Sequence, residues 1–170
     1  MARISYPDTH NPAIAPLVER IERERSKMSN LYRMLLHSPP VAEGWLGFLT
    51  AIRQKCNLSG HDRELVILYI AVLNGADYEF RAHVPFALKD GITQTQIDAL
   101  RDGRLQAFDA RSRAVLAYCE SMTRAIDVPD AVFEAVRAHF NERELVELTA
   151  TIAAYNLVSR FLQAMRIDHD

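Results

Sequence analysis

The sequence predicts an all-α fold, and three observations predict it. Apolar residues recur at spacings of three and four through most of the chain, the pattern of helices buried on one side. Several of these segments open on Ser, Thr, Asn or Asp, which cap the free amides of a helix start. The one run that could pass for a buried strand, Val66 to Leu73, has no second strand-like run to pair with, and a lone strand leaves its backbone amides unsatisfied in a core. That run is therefore read as a helix.

Asn11-Pro12 starts the first helix, with Asn as cap and Pro tolerated in the first turn; it is expected to run to about Met28. Its charges from Glu19 to Arg25 alternate in sign and read as a solvated face, with Leu17, Val18 and Ile21 turned inward. Leu31 to Leu36 is a short helical piece that stops before Ser38-Pro39-Pro40, where a loop is expected. From Val41 to Cys56, Trp45, Phe48, Leu49 and Ile52 form the inward stripe of the next helix, and Trp45 reads as core packing.

Ser59 with Asp62 three residues on starts a helix near Gly60, and Asn74-Gly75 ends it, because both residues accept the left-handed conformation of a helix C-terminus. A following helix carries Tyr78, Glu79 and His83. Pro85 lies within it and cannot donate to the carbonyl of Arg81, so a bend is expected just after His83. Gly91-Ile92-Thr93 with Gln96 is a stop and a new capping box for a short helix through Leu100. From Asp109, the residues Val115, Leu116, Cys119, Met122 and Ile126 form another stripe that ends before Pro129. The last helices run from about Asp130 to His139 and from Asn141 to about Met165.

At 170 residues the chain fits one domain that buries a sizeable core without disulfides or metals. A net charge of −2 gives no reason to expect nucleic acid or an anionic membrane as partner. Cys56 and Cys119 are far apart and neither sits in a Cys-x-x-Cys, which fits small buried hydrophobes in a reducing compartment. The start MARISYPDTHNP lacks the regions of a signal peptide, and no stretch approaches a membrane span, so a cytoplasmic location is expected.

Glu79 and His83 are four apart, which stacks them on one helix face. Three readings stand. They form an acid/base pair in which the carboxylate orients the imidazole and raises its pKa; or they are two ligands of a metal site, although no His-Glu-x-x-His or His/Cys cluster supplies a third; or they are an ordinary structural pair. Glu64, in the first turn of the preceding apolar helix, is favoured there by the helix dipole or turns back into a pocket. Tyr78 can offer a phenol to an anionic ligand or simply pack. Arg81 points away from Glu79 toward the surface, and the other five histidines form no constellation.

These residues resemble the carboxymuconolactone decarboxylase and alkylhydroperoxidase-D-like (AhpD-like) family. Its peroxidase branch has a glutamate, a Cys-x-x-Cys starting twelve residues later, and a histidine four residues after the second cysteine. Glu64 and His83 match the outer positions, while Ala76 and Glu79 stand where the cysteines would be. Together with Tyr78-Glu79-Phe80-x-x-His83, Ala87 and the Gly91-Ile92-Thr93 turn, this is similar to the cysteine-free branch.

The resemblance implies an AhpD-like helical bundle, one domain over 1–170 with 1–29 as an N-terminal helical extension, and a homo-oligomer (dimer, trimer or hexamer). It implies decarboxylation of a small carboxylated lactone or ring acid in aromatic catabolism, with His83 as proton donor, Glu79 orienting and recharging it, Glu64 as relay, Tyr78 against the substrate, and no metal or cofactor. A non-catalytic oligomeric binding protein is the alternative. Thiol peroxidase activity, as in the Cys-x-x-Cys branch, is disfavoured because Ala76 and Glu79 supply no thiol. Finally, Arg63-Glu64-Leu65-Val66-x-Leu68 recurs as Arg143-Glu144-Leu145-Val146-x-Leu148, which suggests an internal repeat of helical hairpins.

Overall fold

A computed structural model describes every residue from Met1 to Asp170 and contains nine α-helices and no strand. The chain divides into two compact units, Met1–Lys55 with Leu162–Asp170, and Cys56–Phe161.

The first unit holds α1 (Ala15–Arg25), α2 (Asn30–Leu35) and α3 (Pro39–Gln54). Asn11 accepts from the amide of Ala13 and opens a 3-10 turn that leads into α1. That helix ends at Arg25, with Ser26 left-handed, rather than at Met28. Arg25 ties the three helices: its Nε donates to the Tyr32 hydroxyl at 3.0 Å and its guanidinium to Thr50 Oγ1 at 2.9 Å. The first 29 residues fall within this unit. The expected loop at Pro39-Pro40 is a helix start, since the first turn of a helix leaves its amides unpaired and has no need of the missing N–H. The inward face of α3 is Ala42, Leu46, Leu49 and Ile52, while Phe48, expected inside, is 46% exposed.

The second unit is built on α4 (Gly60–Leu73), against which α5 (Asp77–Lys89), α6 (Gln94–Arg101) and α7 (Ala110–Arg124) pack. Leu65 through Ile70 are buried almost completely, so these helices supply the cover that a helix apolar on every side requires. The run is helical, as its lack of a partner strand demands. Its C-terminus is a Schellman motif: Gly75 is left-handed at φ 63°, the Ala76 amide donates to the Ala71 carbonyl at 2.8 Å and the Gly75 amide to that of Val72. That turn reverses the chain and launches α5.

Pro85 does not terminate α5, which continues to Lys89 and closes on the left-handed Gly91. Thr93 and Gln96 make the capping box of α6. Asp109 caps α7, whose buried face is Val115, Leu116, Tyr118 and Cys119; Ile126, placed on that stripe by spacing, lies beyond the helix end and is 83% exposed. After α8 (Asp130–Arg137), Asn141 and Glu144 cap α9 (Glu142–Met165) reciprocally. Where the eighty-residue echo would place a second Asn74-Gly75 break, α9 runs on without interruption. No helix is long and apolar enough to cross a membrane.

Candidate functional site

The second unit brings Glu64, Glu79 and His83 together. Glu64 lies on α4, Glu79 in the first turn of α5, and His83 one turn further along α5. The Schellman turn at Gly75 folds α5 back along α4, so that residues 19 apart in sequence meet. His83 Nδ1 is 2.6 Å from Glu64 Oε2, and its Nε2 is 3.2 Å from Glu79 Oε1. All three are at most 4% exposed.

An imidazole facing a carboxylate at each nitrogen satisfies both only as a donor on both sides, that is, as imidazolium. Burial opposes that charge, but hydrogen bonds to Glu64 and Glu79 and their negative charges outweigh it and push the His83 pKa up to about 9. Burial likewise works against ionised Glu64, yet His83 and Arg63 hold its carboxyl below the usual range. These contacts favour the charged form of His83 at neutral pH.

The two contacts are unlike each other. On the Nδ1 side the carboxylate has a second support, since Arg63 Nε donates to Glu64 Oε1 at 3.1 Å, and Arg63 in turn reaches Asp90 Oδ2 at 3.0 Å. On the Nε2 side the contact is longer and its carboxylate belongs to the same helix. The ring is walled by aromatics: the Tyr155 ring of α9 meets it edge-on with centroids 5.3 Å apart, and Phe86, one turn along α5, lies at 5.7 Å. Apolar walls around an ionised pair limit water and strengthen the electrostatics inside.

Tyr78 is half-buried on α5, immediately before Glu79. Arg81 is exposed and pairs with Asp77 at 2.6 Å, as its position on the helix predicts. No group of three His, Cys, Asp or Glu side chains is arranged to hold a metal ion. Cys119 is fully buried and Cys56 half-buried on different segments, and burial raises both thiol pKa values, which disfavours thiolate formation.

Sequence reasoning missed Arg63, Asp90, Tyr155 and Phe86. Phe86 lies three residues after His83 and was within reach of the helical spacing that paired Glu79 with it. Nothing in the spacing signals Tyr155 or Asp90, which arrive through the packing of helices distant in sequence.

Residues 39–121 match the carboxymuconolactone decarboxylase family. No curated protein matches the chain in sequence. Among solved structures, a peroxidase-related protein from Silicibacter sp. TM1040 is similar with a TM-score of 0.84 at 18% identity, over 99% of this chain and 92% of that one. An alkylhydroperoxidase AhpD core, a peroxidase-related protein from Ralstonia eutropha JMP134, gives 0.83 at 19% identity over 99% and 92%. The debrominase Bmp8, in a cysteine-to-alanine form bound to 2,3,4-tribromopyrrole, gives 0.81 at 16% identity over 100% and 94%. At these identities the likeness establishes the helical fold.

Proposed function

We propose, from the match of residues 39–121 to the carboxymuconolactone decarboxylase family and from the AhpD-like helical fold, that the protein is a proton-transfer enzyme that decarboxylates a small carboxylated lactone or related ring acid. The observation that carries this reading is the buried His83 ring with a carboxyl group at each nitrogen, one of which is also bound by Arg63. A structural pair needs one carboxylate to neutralise one imidazolium; a second carboxylate on the other nitrogen provides a place for the proton to go.

In the reaction the bond between the ring carbon and the carboxylate breaks, carbon dioxide leaves, and the electron pair delocalises toward the lactone carbonyl as an enolate. His83 Nε2 then delivers its proton to that carbon, and Glu79 returns a solvent proton to the imidazole. Glu64 keeps Nδ1 protonated and the ring oriented throughout. A donor with a pKa of about 9 is almost wholly in its acid form at neutral pH. Tyr78, adjacent to Glu79 and partly exposed, is assigned to the substrate side.

The test is a screen of carboxylated lactones and ring acids, read by carbon dioxide release and by deuterium uptake from heavy water. His83→Gln keeps a polar group of similar reach but removes the titratable one, and turnover is expected to fall by about a hundredfold or more. Glu79→Gln costs less, because it leaves the imidazole in place. Turnover by His83→Gln at the wild-type rate with an unchanged pH profile would show that His83 is not the donor.

A further inference from the structure

We propose that Arg63, held by an Asp90 carboxylate that lies against Gly60, is a positioning residue that locks the Glu64 carboxylate as the ionised anchor of His83. Proton exchange is thereby confined to the Nε2–Glu79 side; only that last step rests on the proton-transfer reading above.

Glu64 is buried, and a buried carboxylate stays charged only when its lone pairs are met by donors. Here each oxygen has its own: Oε1 accepts from Arg63 Nε and Oε2 from His83 Nδ1. Two donors on two oxygens also fix the plane of the carboxylate, and with it the ring. Arg63 and Glu64 are consecutive on α4, however, and consecutive helical side chains do not face one another. The guanidinium must fold back to reach Oε1, and a third contact, from its Nη2 to Asp90 Oδ2, holds it there.

Asp90 itself stands at the C-terminus of α5, where the helix dipole disfavours a negative charge. The Arg63 guanidinium accounts for an acid at that position. Gly60 accounts for its ability to fit. A Cβ added to Gly60 would lie 2.4 Å from Asp90 Oδ2 and 2.5 Å from Cγ. Gly60 is not among the glycines with positive φ, so no backbone conformation demands glycine there. A Cβ there would meet only the end of the Asp90 side chain, so alanine at this position requires the Asp90 carboxylate to move.

The groups facing His83 are Glu64 from α4, Glu79 and Phe86 from its own helix, and the Tyr155 ring from α9. Of the two carboxylates, Glu64 carries the guanidinium on its far oxygen, which is what makes the two ends of the imidazole unequal.

Nuclear magnetic resonance of the full chain carrying labelled histidine tests this without a substrate, with the His83 signals assigned by their loss in His83→Gln. In the wild type the Nδ1 proton is expected to exchange with solvent more slowly than the Nε2 proton. Arg63→Met should speed Nδ1 exchange by roughly tenfold or more, the loss of one charge-assisted hydrogen bond, and Arg63→Lys should restore part of the protection. Gly60→Ala should act in the same direction by displacing Asp90. It should have no further effect in an Asp90→Ala background, because both changes remove the same contact.

Unchanged Nδ1 exchange in Arg63→Met overturns the proposal. So does a Gly60→Ala effect that adds in full to that of Asp90→Ala, which would mean that Gly60 acts elsewhere. If Arg63→Met does not fold, the Gly60 and Asp90 variants decide alone. Altered exchange in a protein that decarboxylates none of the ring acids screened would uphold the anchor while removing the assigned reaction.

Discussion

Raising the pH should unfasten the second unit by a calculable amount. Moving His83 from an ordinary pKa of 6.5 to about 9 corresponds to about 3 kcal/mol of favourable interaction with the protonated ring. The folded value is the raised one, so this stabilisation is complete below pH 6.5, declines as the pH rises, and is gone above about 9. The ring is buried, so solvent screening does not reduce it appreciably. The lowered Glu64 value expresses the same contact on the acid side, where stability present above 4.5 is lost as the pH falls through the lowered pKa. The two describe one interaction and are counted once. The assay is urea unfolding followed by circular dichroism at intervals from about pH 6 to about pH 10. The wild type is compared with His83→Gln and with His83→Gln/Glu79→Gln, the latter avoiding a buried Glu79 carboxylate left without its cation, while Arg63 still faces Glu64 in both variants. Groups that titrate elsewhere contribute alike to all three proteins, so the quantity read is the difference. The wild type should lose about 3 kcal/mol more than either variant across that window. Parallel curves would refute the reasoning, because they would mean that His83 carries no more charge folded than unfolded.

Thiol-dependent peroxidase turnover is expected to be absent, and hydroperoxide consumption that vanishes in Cys56→Ser or Cys119→Ser would contradict this. A homo-oligomer is expected from the family resemblance and from the exposed apolar Val146 and Leu157 on α9. Light scattering that finds only monomer at micromolar concentration would remove the expectation. Leu68→Ala, at a fully buried position of α4, should destabilise by about 2–5 kcal/mol in the same urea assay, and a loss well under 1 kcal/mol would mean that the helix is less tightly enclosed than its burial states.

The sequence by itself determined what depends on neighbours within about five residues. The helical character of α4, the caps at Ser59, Thr93, Asp109 and Asn141, and the stop at Asn74-Gly75 are local choices between a side chain and its own backbone. The stacking of Glu79 on His83 was legible for the same reason, because 3.6 residues per turn leave a four-residue spacing little else to mean. Only the tertiary structure decided which faces turn inward. Helical periodicity defines a stripe, but its rotation is set by the helices that pack on it, which is why Phe48 reads as buried and stands exposed, whereas Ile126 is exposed because its helix ends before it. Only tertiary structure, too, made Glu64 a partner of His83. Read from the sequence as a first-turn residue, it is equally compatible with a dipole contact; it stands in the second turn of α4, and the reach to Nδ1 exists because a left-handed glycine folds α5 along α4. Arg63, Asp90 and Gly60 entered the site the same way: a contact between residues 27 apart leaves no trace in spacing, because it offsets the cost of burying the Glu64 carboxylate, which no local pattern records.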